Sequence, residues 1–127
     1  MDETSNILID LKATLEGTGF TVLEAGVWTD DEPPDTYLVI CPIGDDYEAG
    51  DDTYIIASEK ARVQIWSRGS LSLSIYALKN GVVAALMRGG YVLKNSLYGG
   101  YNPATGYPCW RIDAAGAYII NTNTTEE

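Results

Sequence analysis

The segment TYIIASEKARVQIWSRG, residues 53–69, is the longest extended stretch of the chain and decides how its neighbours are interpreted. In its second half, Ala61, Val63 and Ile65 alternate with polar or amphipathic residues. That period of two is typical of a strand with one buried face and one solvent-facing side. Because seventeen residues exceed the usual length of a strand, we expect a bend or a bulge near residues 58–60.

An amphipathic helix is predicted directly after this strand, in SLSLSIYALKNGVVAALMRGG, residues 70–90. Ser70 is placed to cap it, and Gly89 and Gly90 end it. Gly81 in its middle lowers helix stability by about 1 kcal/mol relative to Ala. A glycine at such a position indicates that the helix backbone is closely approached there by the sheet or by a partner. Its apolar residues recur every three or four positions and are Leu71, Ile75, Leu78, Val82 and Leu86.

The rest of the chain supplies one more helix and four more strands. The strands are predicted at residues 20–28, 36–43, 91–98 and 109–119. The order α-β-β-β-α-β-β predicts an α+β fold, with one mostly antiparallel sheet of about five strands and two helices packed on one face. We expect residues 1–120 to form a single domain and residues 121–127 a flexible C-terminal tail. The N-terminal helix has a stripe of Ile7, Leu8, Leu11 and Leu15, a cap at Thr4 or Ser5, and an end at Gly17 and Gly19.

Two acidic segments, TDDEPPD and GDDYEAGDD, flank the strand at residues 36–43 and are predicted to be loops. An EF-hand starting at Asp45 or at Asp46 lacks oxygen ligands at positions where calcium needs them. A solvated loop and an adventitious Ca²⁺ or Mg²⁺ site therefore remain as the two interpretations, and the solvated loop is favoured. The nine carboxylates are Asp30, Asp31, Glu32, Asp35, Asp45, Asp46, Glu48, Asp51 and Asp52.

Catalytic patterns are absent from the sequence. It has no histidine, which removes the commonest general base and the commonest zinc ligand. Neither GxGxxG nor GxxxxGK[ST] occurs, so no phosphate-binding loop is indicated. Cys41 and Cys109 are predicted to be buried free thiols, with a single disulfide as the alternative. We expect no enzymatic activity, no cofactor and no metal site.

The formal net charge of −10, from eighteen acidic and eight basic residues, repels nucleic acid phosphates and anionic membranes. It disfavours a DNA-gripping surface but is compatible with a surface past which DNA slides. The N-terminus MDETSNILID is acidic, which argues against a signal peptide. Since no apolar run approaches the roughly 20 residues of a membrane span, we expect a soluble intracellular protein.

The layout of the chain resembles the tail terminator (tail completion) proteins of long-tailed bacteriophages. The resemblance is carried by residues 61–91, where ARVQIWSRG is an alternating strand and SLSLSIYALKNGVVAALMRGGY an amphipathic helix that closes on Gly-Gly-aromatic. A last strand, PCWRIDAAGAYI, and the link GTGF between the first helix and the first strand are similar to the family as well.

The resemblance implies assembly. Such proteins form a ring, usually hexameric, that caps the tail tube in the virion and meets the head connector, with DNA passing through the hole. The implied partners are further copies of the chain, the major tail protein and head–tail connector proteins, while DNA is not specifically bound and no membrane is involved. In such a ring the nine carboxylates would form a negative rim or lumen, after assembly in the host cytoplasm.

For the contact between subunits we expect the sheet face at residues 62–66 together with the hairpin LYGGYNPATGY. Its arginines would meet the acidic segments of the next copy, and its aromatic residues are of the type enriched at interfaces. Ordinary solvated arginines and core aromatics are the competing interpretation. The residues are Arg62, Gln64, Trp66, Arg68, Tyr98, Tyr101, Tyr107 and Arg111.

Other functions fit parts of the sequence. Another head–tail connector component or small tail protein would show much the same pattern. An acidic DNA-mimic binding module would need carboxylates along one face. Here half of the eighteen acidic residues are bunched in two segments. A small metal-dependent hydrolase is disfavoured by the missing histidine, and a host cytoplasmic protein without a fixed partner is the last alternative.

Overall fold

The computed structural model describes residues 6–24, 36–51, 54–67, 72–101 and 108–121. Two helices and five strands follow in the order α1 (Ile7–Gly17), β1 (Val22–Glu24), β2 (Thr36–Asp51), β3 (Tyr54–Ser67), α2 (Ser72–Arg88), β4 (Val92–Tyr101) and β5 (Pro108–Asn121). The strands form one sheet in the order β1-β2-β3-β5-β4. Only the β1–β2 pair in this sheet is parallel, so the predicted α+β class with a mostly antiparallel sheet is confirmed.

Both helices pack on the same face of the sheet, as predicted. The alternation of β3 places Val63 and Ile65 beneath them, beside Leu38 of β2 and Ile112 of β5, and all four side chains are fully buried. The helices contribute their apolar stripes to this core, through Ile7, Leu11 and Leu15 of α1 and Ile75, Val82 and Leu86 of α2.

The cap of α1 differs from the prediction. Asn6, and neither Thr4 nor Ser5, is the N-cap, since its side-chain oxygen accepts a hydrogen bond from the Ile9 amide at 3.0 Å. A second acceptor comes from β3, where Glu59 Oε1 lies 2.9 Å from the Ile7 amide nitrogen. Two of the amides that a helix start leaves without partners are satisfied in this way.

Both helices end at or directly before glycines that the sequence predicts as helix ends. After α1, Gly19 adopts φ +100°, and after α2, Gly90 adopts φ +87°, conformations that L side chains rarely adopt. Ser70 and Leu71, predicted as the cap and first stripe residue of α2, lie outside the described residues, as do residues 25–28, 29–35, 52 and 122–127 of other predicted segments.

The second acidic segment is a strand. β2 runs on to Asp51 and pairs with β3 from Thr36 opposite Ser67 to Asp51 opposite Tyr54, so the prediction of a loop from residue 44 is wrong up to residue 51. Local Gly and Asp disfavour a strand, but pairing with a long apolar partner overrides this preference. The register shifts between Pro42 and Gly44, which places the expected irregularity opposite residues 60 and 61, on β2 rather than β3.

Three strands continue past their neighbours. The β1 ladder ends at Ile40, and the β4 ladder reaches β5 only at Ala115. We call the three-stranded projection made by residues 44–51, 54–60 and 116–121 the arm, and the helix-covered remainder the body. α1 contacts the arm at its base, where Tyr118 Oη donates to Asp10 Oδ2 at 2.7 Å.

Candidate subunit-contact surface

The sheet face opposite the helices, called the open face, carries the residues that alternate with the core. Arg62 lies opposite Asp113, and Gln64 lies opposite Arg111. Since directly opposed residues in an antiparallel pair share a face, Arg62, Gln64, Trp66 and Arg111 come together there. The structure thus assembles half of the predicted contact set on one surface.

Arg62 is already paired within the chain. Its Nε lies 2.8 Å from Asp113 Oδ1, its Nη2 lies 3.2 Å from Oδ2, and Asn95 Nδ2 donates to the same Oδ2 at 3.4 Å. The hydrogen bonds from Arg62 hold the pKa of Asp113 below its ordinary value, and the reciprocal bond raises the pKa of Arg62. Because Asp113 is only 8% exposed, this pair is part of the fold, and Arg62 is not a free cation for another chain.

Arg111 has no salt bridge to a carboxylate among the described residues. Its side chain lies along Gly99 of β4, where a Cβ would come within 3.1 Å of Arg111 Nε. That Nε is buried and finds no hydrogen-bond acceptor among the described residues. The charge of Arg111 acts on Asp113, whose pKa it helps to lower, but no ion pair holds its half-buried guanidinium among the described residues. It can therefore meet an acid of another molecule.

The aromatic side chains of the open face pack on one another. Tyr37 stacks on Trp66 with ring centroids 6.3 Å apart and an interplanar angle of 15°. Trp66 Nε1 donates to Gln64 Oε1 at 3.3 Å. Trp66 therefore packs against its own chain, and its ring and indole N–H are already used in contacts within the open face.

Tyr98 lies on the helix side of the sheet, away from Arg62. Its ring centroid is 6.1 Å from that of Trp110, whose Nε1 donates to Ser96 Oγ at 2.8 Å. The prediction grouped Tyr98 with the residues of the open face, but the sheet separates them. The backbone of Tyr101 ends β4, and its side chain, like Arg68 and Tyr107, lies outside the described residues.

The acidic residues of the arm are held in a strand and face both sides of the sheet. Asp46 and Glu48 share the open face, and Asp45 and Tyr47 lie on the other side. Lys60 Nζ lies 2.8 Å from Asp46 Oδ2 and, by its hydrogen bond, lowers the pKa of that carboxyl. On the other side Tyr47 Oη donates to Asp45 Oδ2 at 3.2 Å, which raises the pKa of Tyr47.

The side chains of the other acidic residues predicted for the rim or lumen are not among those that the structure describes. Asp51 is the last residue of β2, and only its backbone is described. The remaining ones, Asp30, Asp31, Glu32, Asp35 and Asp52, lie outside the described residues.

The described residues form no candidate metal site, and their two cysteines form no disulfide. Within them, no three acidic or cysteine side chains converge so as to hold a metal ion. Cys41 and Cys109 are both free thiols, as predicted, but only Cys109 is buried and Cys41 is half-buried. Burial raises the pKa of Cys109 to about 11, so its thiol is protonated at neutral pH. None of the helices described is long and apolar enough to cross a membrane.

Sequence reasoning missed the partners that organise this surface. They are Asp113 for Arg62, Asn95 for Asp113, Gly99 for Arg111 and Lys60 for Asp46. Asp113 and Arg62 each occupy a solvent-side position of an alternating strand, which is a usable signal. The register that brings the two opposite each other is not readable from either strand alone.

Comparison with models of known protein families and with curated protein sequences finds no match.

Proposed function

We propose that this chain is a structural virion protein that caps the tail tube of a long-tailed phage and joins it to the head connector, as a hexameric ring through which DNA passes. The proposal originates in the sequence resemblance. The observation that supports it most is the separation of unlike charges along the open face, where unpaired Arg111 lies in the body and exposed Glu48 lies on the arm.

The two charges are far enough apart to belong to different contacts. Arg111 is level with Gln64 and Glu48 with Ile56, eight residues along β3, which is about 26 Å at ~3.3 Å per residue. They cannot pair within one copy. A head-to-tail arrangement in which the arm of one copy lies on the body of the next brings them together, and repeating that contact closes a ring.

The arm acids also suit a channel for DNA. In the ring, Asp45, which lies on the face of the arm opposite Glu48, would supply a negative rim or lumen together with the acidic residues outside the described ranges. Such a surface repels the phosphate backbone, so that DNA moves through without being held. The same charge opposes the stacking of one ring on another until the major tail protein and connector proteins supply opposing surfaces.

The test is the mass and shape of the purified protein at low salt, by light scattering and negative-stain microscopy. We expect rings of about six 13.8 kDa chains for the wild type, weaker at high salt because ion pairs are screened. Arg111→Glu should form no rings, and the charge swap Arg111→Glu with Glu48→Arg should restore them. Arg88→Glu, which makes the same charge change at the exposed end of α2, is the matched control. An Arg111→Glu protein with the wild-type mass contradicts the proposed contact.

The role of the negative charge is tested separately, by changing Asp30, Asp31, Asp45 and Asp46 together to Asn. Unchanged ring formation and unchanged infectivity of the phage that carries the variant would leave these acids without an electrostatic role. Binding of the rings to isolated tail tubes distinguishes a terminator from another connector or small tail protein. A DNA mimic is less well supported, because the described acids of the arm alternate between two faces and form no single row.

A further inference from the structure

The two edges of the arm differ in charge. The β2 edge carries Asp45, Asp46 and Glu48, the kind of charged residue with which proteins protect a free strand edge from pairing. The β5 edge, AAGAYIIN at residues 114–121, contains no charged residue. Since β4 reaches β5 only as far as Ala115, no strand among the described residues pairs with the outer side of Gly116–Asn121.

The β5 edge exposes large apolar side chains next to small residues. Ile119 is 72% exposed and Ile120 is 41% exposed, while Gly116 and Ala117 precede them by two to four positions. Beside the small residues lies a groove of about 190 Å³, lined by Ser58, Val92, Lys94 and residues 115–117. Ile119 projects to the same sheet face as Ala117, the face on which this groove opens.

We propose that this edge pairs with the same edge of a second copy, as an antiparallel two-fold contact centred on Tyr118. Read in opposite directions, the two segments place Ala117 opposite Ile119 of the second copy and Gly116 opposite Ile120 of the second copy. Ile119 of the second copy meets Ala117 and enters the groove beside it. Ile120 of the second copy meets the ring of Tyr118, which covers Gly116 so closely that a Cβ there would lie 3.1 Å from Tyr118 Cε2. A segment whose own small and large halves complement each other in this register favours a second copy over an unrelated strand.

This contact is independent of the proposed ring function and opposite to it in salt dependence. It joins uncharged edges of two protomers that each carry a net charge of −10, so salt that screens their repulsion strengthens it. The ring contact between Arg111 and Glu48 weakens under the same change. Five paired residues are few, since stable interfaces bury roughly 1,200–2,000 Å², and the dimer should dissociate on dilution.

The experiment is sedimentation velocity over a concentration series at low and high salt, in an Arg111→Glu background that removes the proposed ring contact. We expect a monomer–dimer equilibrium that shifts toward dimer with salt. Ile119→Lys should weaken it by at least about tenfold. Tyr47→Lys is the matched control, because it puts the same charge on an exposed position of the opposite arm edge and should leave the equilibrium unchanged.

Amide hydrogen exchange provides a second measurement that needs no variant. The amides of residues 116–120 should gain protection as protein concentration rises, and those of residues 45–48 should not. Equal sedimentation of the Ile119→Lys and Tyr47→Lys proteins would overturn the pairing. A chain that stays monomeric at every concentration and salt, with exchange at residues 116–120 independent of concentration, would overturn it as well.

Discussion

The body and the arm share three strands, β2, β3 and β5, yet these strands have different surroundings in the two regions. In the body, one side of these strands lies under two helices, and Ile65 is completely buried. In the arm, Tyr47 is 63% exposed, and within the described residues α1 reaches only the base of the arm, through Glu59 and Tyr118. Burial under the helices stabilises the fold, so the arm is the part of the chain whose sequence is freest to serve contacts with other molecules.

The largest expected difference between the two regions is in the cost of removing an isoleucine side chain. Ile65→Ala in the body should lower the free energy of unfolding by about 2–5 kcal/mol, since it removes buried methyl groups and leaves a cavity. Ile119→Ala in the arm should change it by no more than about 0.5 kcal/mol. Urea denaturation followed by circular dichroism, at protein concentrations where the chain is monomeric, measures both. Equal costs would mean that the arm is packed as tightly as the body.

The next effect compares two ion pairs, one in each region. In the body, Asp113→Asn weakens the hydrogen bonds that Arg62 donates and should cost about 1–3 kcal/mol. In the arm, Asp46→Asn removes the exposed partner of Lys60 and should give no measurable change. The two substitutions remove the same charge, so the difference between them isolates the effect of burial.

The cost of Asp113→Asn should depend on pH. Folding lowers the pKa of this carboxyl below its ordinary value of 3.8, so the stabilisation it provides is fully present above that value. It is lost as the pH falls through the lower pKa of the folded state. Wild-type and Asp113→Asn proteins should therefore approach equal stability in acid. A difference that stays constant from neutral pH to strongly acidic solution would show that the charge of Asp113 is not what stabilises the body.

The sequence predicts the body better than it predicts the arm. Stripes such as Leu11 and Leu15 in α1, and the alternation of Val63 and Ile65 in β3, report directly which side of an element is buried. Residues 44–48 of β2 have no such stripe, because all of them are exposed and neither side is covered by the core. Their extended conformation comes from pairing with β3, and glycine and aspartate give no local sign of that.

The candidate surface divides in the same way. Alternation correctly predicts that Arg62, Gln64 and Trp66 share a face, because that depends only on the period of one strand. The hydrogen bond from Arg62 to Asp113 depends on the register between β3 and β5, because the two residues are 51 positions apart in the chain. For this reason the sequence could not show that Arg62, and not Arg111, forms the salt bridge to Asp113.

The smallest predicted effect tests how closely the helices of the body are packed. Gly81 is an exposed residue of α2, and a Cβ there would lie 3.5 Å from Phe20 Cζ, an ordinary van der Waals distance. Gly81→Ala should therefore raise the free energy of unfolding by up to about 1 kcal/mol, through helix propensity alone. At Gly89 a Cβ would lie 3.0 Å from Tyr91 Cε2 and 3.3 Å from Thr14 Cγ2, so Gly89→Ala should destabilise the chain. Thermal unfolding of both variants gives the two signs, and a loss of stability in Gly81→Ala would mean that α2 approaches Phe20 too closely for even one methyl group.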